Sequence, residues 1–323
     1  MSLAAGEEQS PPGEDDLIKQ LVALQIGIMT KKGPTRRGQH PKHHGCADVA
    51  FVVHGGLPDA CRIGVFREPA TYKAKVRWSN GADDDDQNAD VHGMAVKVLG
   101  VKGTPALEGS DRDEQDFILI DSESFFVPDV KTMLELMTAR VTSEMTHDPK
   151  VMTEFLQNHQ KTAAALGAAK KHIPSPLTTQ YWSTVPFKLG GGAVKYTVVP
   201  SRDNKSGDVP ATSKDYLRAA LASQLGPGAN GAEFELCIIP QAEPRDNPVE
   251  DPMVPWTSTP IAVATIKVEP QAFDTPERMK EAEDLSFDPW HALADHRPLG
   301  GINRARRAVY AASLKLRQSA AAV

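Results

Sequence analysis

Three residues near the end of the chain, Arg306, Tyr310 and Arg317, stand at positions i, i+4 and i+11. At about 100° per residue they fall within about 40° of one another on a helix, so one face would carry all three. Such a stripe has two readings. It is an amphipathic surface helix with solvated arginines and a half-buried tyrosine anchor, or it is one wall of a pocket that holds a metal. In the second reading the tyrosine binds ferric iron well only as phenolate, against an ordinary pKa of about 10. Arg306, one turn away, would set a fixed positive charge beside that oxygen. Arg317, two turns on, would offer a bidentate fork to a ligand carboxylate.

Three further stretches contain residue types able to do chemistry. The first is Arg37-Gly-Gln-His40-Pro-Lys42, followed by His43 and His44. Its Pro and Gly breakers read as a solvated loop, with His43 and His44 as loop surface. The second is Arg77-Trp78-Ser79 with Asp90-Val-His-Gly93-Met-Ala95-Val-Lys97; Trp78 reads as core and Asp90 equally as a turn residue. The third runs from Asp116 through Asp121 to Phe125, Phe126 and Asp129. The acid run at 83–86 lacks the spaced ligands and final Glu of a calcium loop and reads as solvated charge.

The elements that must position these residues are legible as short strands and helices. Segments 47–53, 61–66, 73–79, 92–100 and 115–120 are β-branched, short and separated by turn residues, a barrel or sandwich pattern. Strand character returns at 181–200, 233–240 and 259–270, with a helix around 215–225 between them. Helical spacing covers 16–30, 128–171 and 302–317. Residues 1–15, rich in Ser, Pro, Gly and acids, read as a disordered tail, and 16–323 as a single domain. The 323 residues are 40% hydrophobic and 24% charged with net charge −6, which excludes an obviously basic nucleic-acid face. There is no apolar run long enough for a membrane helix, and no apolar segment of a secretory signal at the start. The three cysteines, Cys46, Cys61 and Cys237, form no CxxC motif, so a reducing cytoplasm is the expected setting.

Taken in order, these motifs resemble the catalase family. Catalases carry R-x-x-H, then R-x-S, then a D-x-x-G-x-A-V-K segment, a Phe-Phe pair, and R-x-x-x-Y with an Arg seven residues beyond. The resemblance covers residues from about 30 to 318 and is closest to the short catalase-like haem proteins, which include allene oxide synthase domains and small bacterial peroxidases. It implies an α+β fold, an antiparallel eight-stranded β-barrel with surrounding helices, holding haem b. It implies Tyr310 as the iron ligand beside Arg306, His40 as the distal acid–base residue and Ser79 as the residue fixing its tautomer. Arg37, Arg77 and Arg317 become propionate partners, Asp90 a carboxylate on the substrate channel, and Phe125 and Phe126 walls of the distal pocket. One departure concerns the distal amide: Asp121 stands one residue from where catalases place an Asn, and a carboxylate donates no hydrogen bond unless protonated. The segment between His40 and Phe51 is also one residue longer than in catalases.

The implied activity is haem-dependent peroxide processing of catalase or peroxidase type, with catalytic His40, Ser79 and Asp121 and a small organic reductant. A fatty-acid hydroperoxide isomerase or lyase acting on a lipid hydroperoxide uses the same scaffold, and a non-catalytic haem binder is a third class. A small homodimer is the expected assembly.

Overall fold

The computed structural model describes residues 4–33, 35–207, 209 and 211–321. The chain begins with helix α1 (Glu14–Lys32) and then lays down strands β1 (His43–Val53), β2 (Thr71–Asn80), β3 (His92–Leu99) and β4 (Glu114–Ile120) as an antiparallel meander. Helices α2 (Val130–Thr146), α3 (Lys150–Asn158) and α4 (Gln160–Ala169) follow. Asp129 starts α2 by accepting the Thr132 N–H at 2.7 Å, and His147 ends it in the left-handed region, φ 53°. Next come β5 (Tyr181–Trp182), β6 (Phe187–Leu189), β7 (Gly192–Pro200), α5 (Tyr216–Leu225), β8 (Ala232–Pro240) and β9 (Ile261–Val268). The chain closes with α6 (Pro276–Asp284) and α7 (Gly301–Ala321).

The sheet order β5-β4-β3-β2-β1-β9-β8-β7 becomes a ring because β5 also pairs with β7. Trp182 lies opposite both Ile120 and Thr197, joining the two ends. The result is a closed antiparallel eight-stranded barrel, with β6 a hairpin arm on β7. Closure removes the unpaired edges that an open sheet would expose.

Alternation along the strands decides what faces inward. Ala47, Val49, Phe51 and Val53 of β1, Val76 and Trp78 of β2, and Met94, Val96 and Val98 of β3 all belong to one buried cluster. Phe117 stacks on Phe51 at 5.9 Å and meets Tyr196 edge-on at 4.9 Å inside it. The intervening residues point outward, yet Arg77, Ser79 and Lys97 are as buried as the core. Something must cover that outer face, and it is α7 together with residues 286–288.

Four elements differ from the sequence expectation. Residues 61–66 form no strand but lie in two short 3-10 turns, because Gly64 adopts φ 56° and packs against His296, where a Cβ would sit 2.2 Å from Nε2. A β-bulge lies between His43 and Gly45 where β1 meets β2. That bulge draws His43 and His44 into β1, buried rather than on a loop surface. Helix α6, polar in sequence, was not expected.

Residues 4–15 are not a loose tail. Arg304 of α7 gathers Glu8 at 2.8 Å, Glu14 at 2.6 Å and Glu250 at 2.9 Å, and Glu8 also reaches Arg297 at 2.7 Å. These charges hold the start of the chain against the start of α7. Arg304→Ala leaves Glu14 and Glu250 without their cation and Glu8 with Arg297 alone, and is expected to cost about 2 kcal/mol, with faster proteolysis within residues 4–15. Unchanged denaturation and cleavage would refute this anchoring.

Candidate functional site

A slit separates the outer face of β2, β3 and β4 from α7, enclosing about 870 Å³ of space continuous with solvent. On the barrel side the floor is made small by Gly93 and Ala95, and Ala95 lies opposite both Arg77 and Ile118. His40 stands over this floor. Its backbone takes φ 53°, an unusual conformation for a non-glycine residue, held by its N–H to Gly81 O at 2.9 Å and by Arg77 Nη2 donating to its carbonyl at 3.0 Å. Its Nδ1 lies 3.1 Å from Ser79 Oγ. A Cβ at position 93 would sit 2.6 Å from that Nδ1, so only glycine leaves room for the imidazole. Burial, reinforced by the charge of Arg77, pushes the His40 imidazole down to about 4. The ring is therefore neutral near pH 7, and Nε2 is the nitrogen open to the slit.

The opposite wall is one face of α7: Val309, Tyr310, Ser313, Leu314 and Arg317. The spacing that put Arg306, Tyr310 and Arg317 on one helical face thus brings Tyr310 and Arg317 to the slit. Arg306 does not line it but donates to Tyr310 Oη at 3.2 Å, with its guanidinium 5.4 Å from the ring centre. Arg306 is itself steered by Asn303 Oδ1 at 3.2 Å. Asn303 is fully buried and fixed by the carbonyls of Pro186 and Leu299 at 2.9 and 3.0 Å. The tyrosine oxygen therefore has a positioned cation beside it.

At one margin of the slit three guanidinium groups converge on a single residue, Glu283. Arg37 forms an ion pair with Glu283 and donates to Ala282 O at 3.2 Å and Leu285 O at 2.6 Å. Arg77 lies 3.9 Å from the same carboxylate, and Arg317 donates to the Glu283 carbonyl at 2.9 Å. Arg77 Nε is buried with no partner among the described residues. Burial, with repulsion from neighbouring arginines, pushes Arg77 down to about 9 and Arg37 to about 10, and burial lowers Arg317 as well. Three cations against one anion leave an excess of positive charge that a dianionic ligand edge would neutralise. Glu283 was missed in the sequence because it lies on α6.

Other site candidates are placed elsewhere. Asp121 is fully buried and engaged with His92, accepting its backbone N–H and approaching its Nδ1, both at 2.8 Å. Asp90 holds a turn, accepting the N–H groups of Ala82 and Asp83 at 2.8 and 2.9 Å. Phe125 and Phe126 stack on each other at 4.3 Å and pack on the barrel core. None of these four lines the slit. Glu114, Asp116 and His291 cluster as metal ligands might, but Lys97 Nζ sits 2.7 Å from Asp116 and 2.9 Å from Glu114 and supplies the cation there.

No family model and no curated protein sequence matches the chain. Solved structures do. A bacterial catalase superposes with TM-score 0.65 at 16% identity over 98% of this chain and 63% of its own. Catalase A from Saccharomyces cerevisiae gives 0.67 at 16% over 98% and 67%, and a fungal catalase 0.65 at 14% over 98% and 65%. The fold is catalase-like. The chain spans less than two thirds of the length of the bacterial catalase. Among the described residues no helix is long and apolar enough to cross a membrane.

The buried imidazoles have a consequence for stability. His40 and His296 are pushed down to about 4 and His43 to about 3, all by burial first. Unfolded histidines take up protons near pH 6.5, so between that pH and about 4 the unfolded chain binds more protons than the fold. Stability should therefore fall as pH drops through this window. Urea midpoints measured from pH 7.5 to 4.5 test it, and a flat profile would contradict these burials.

Proposed function

We propose that the slit binds haem b and that the protein is a haem-dependent peroxide-processing enzyme of catalase or peroxidase type. The observation that carries this reading is Tyr310, backed by Arg306, facing His40 across a slit edged by an under-neutralised arginine cluster. The residues fit the group. Tyr310 Oη would hold the iron as phenolate, the tyrosinate ligation for which catalase is the standard example. Arg37, Arg77 and Arg317 would hold the propionates, and the unpartnered Arg77 Nε is one donor such an anion would satisfy. When bound, haem supplies the redox-active iron at which peroxide is reduced.

The remaining work falls to this chain's own side chains. His40, neutral near pH 7, accepts a proton at Nε2 from an entering peroxide and returns it to the departing oxygen, while Ser79 keeps Nδ1 oriented. Arg306 compensates the phenolate charge of Tyr310. Asp121 cannot donate a hydrogen bond to peroxide, because its carboxylate is committed to His92. Its role is to position β3 and β4. Without an amide donor there, turnover with an organic reductant is favoured over disproportionation of hydrogen peroxide.

Titration of purified protein with haem is expected to saturate at one equivalent and give the absorption spectrum of a ferric tyrosinate haem. Tyr310→Phe should weaken binding or grossly alter that spectrum; an unchanged spectrum would overturn the assignment. In His40→Ala haem should still bind, with peroxide consumption in the presence of a phenolic donor slowed by about 100-fold or more. Equal rates would remove His40 from the chemistry. A rearranged product from a lipid hydroperoxide without any donor would point instead to the isomerase reading.

A further inference from the structure

A second cavity shares residues 37–39 with the slit as a common wall. Its lining is apolar where α1 faces α2, through Ile28, Met29, Met137 and Val141. Met29 also reaches the slit side, where Ser313 Oγ lies 3.2 Å from its sulfur. One methionine side chain and one stretch of backbone therefore separate the two spaces. Gly38 allows that thin wall, since a Cβ there would stand 1.7 Å from Gln25 Nε2 and 2.9 Å from Met29 Cγ.

The rim is charged, with cations in excess. Lys32, Arg36 and Arg140 meet only Asp84 and Glu144. Arg36 is satisfied by Asp84 in a two-pronged contact of 2.6 and 3.1 Å. Lys32 and Arg140 share Glu144, at 3.2 and 3.1 Å. Arg140 uses only Nε in that contact, so its two terminal nitrogens have no partner among the described residues. On a chain of net charge −6 this rim is locally positive. An apolar pocket with an under-used guanidinium at its mouth is complementary to one kind of molecule, an alkyl chain ending in a carboxylate.

We infer that this cavity binds an aliphatic carboxylate, its head on Arg140 and its chain running past Val141 and Met137 toward Met29. Met29 and residues 37–39 stand between that chain and the slit. The binding site itself needs no haem.

Isothermal titration of the purified protein with dodecanoate, dodecanol and dodecyltrimethylammonium tests it. Dodecanoate should bind at one site, at least about tenfold more tightly than either control. Arg140→Glu should weaken it about tenfold or more, Arg140→Lys should restore most of the affinity, and Val141→Trp should fill the pocket and abolish binding with circular dichroism unchanged. Dodecanol binding as tightly as dodecanoate, no binding at all, or indifference to Val141→Trp in folded protein would overturn the proposal. Haem titration of the same samples separates the two readings: dodecanoate binding without haem binding sinks only the haem assignment, and haem binding without dodecanoate binding sinks only this one.

Discussion

Three guanidinium groups gather at Glu283, those of Arg37 and Arg77 at its carboxylate and that of Arg317 at its main-chain carbonyl, and the rest of the site is arranged around that crowding of positive charge. Burying like charges together is unfavourable unless counter-charge arrives. The chain brings these residues from a loop, a barrel strand and the last helix, so the strain is distributed over elements far apart in sequence. A planar ligand with two carboxylates on one edge would relieve it. Binding and folding are coupled through that term, and the ligand-bound protein should be markedly more stable than the free one.

The barrel makes the arrangement possible because three of its strands are buried on both faces. Inward residues such as Val76, Trp78 and Val96 fill the core, while Arg77, Ser79 and Gly93 form one wall of the slit. The other wall is α7, fixed at its start by Arg304 and its three carboxylates and by Asn303. Rigidity at both walls matters, since the distance between His40 and Tyr310 is set by how firmly α7 docks on the barrel. Positioning of that kind is worth more to catalysis than any single hydrogen bond.

What was legible in the sequence is what depends on local periodicity. The α7 stripe and most barrel strands could be read because a helix or strand of known period places their side chains, whereas His40, Ser79 and Arg77 were singled out only by the resemblance to catalases. Glu283 could not be read, since α6 is polar and its importance comes largely from Arg37 and Arg77, far earlier in the chain. His43 and His44 were misplaced because a bulge, invisible to composition, turns a loop-like run into strand. Asp121 has the residue type for distal chemistry, and the reason it does not serve there is a tertiary contact with His92 across β3 and β4. Residues 1–15 look disordered by composition, and it is the contacts of Glu8 and Glu14 with Arg297 and Arg304 that hold residues 4–15.

The haem proposed here would join Tyr310 to the arginine cluster across the slit. Iron-edge anomalous diffraction from crystals of the haem-loaded protein is the decisive measurement. A single iron peak is expected at coordinating distance from Tyr310 Oη, with the ligand's carboxylates on Arg37, Arg77 and Arg317. An iron peak outside the slit, or one held by His40 with Tyr310 unliganded, would contradict it.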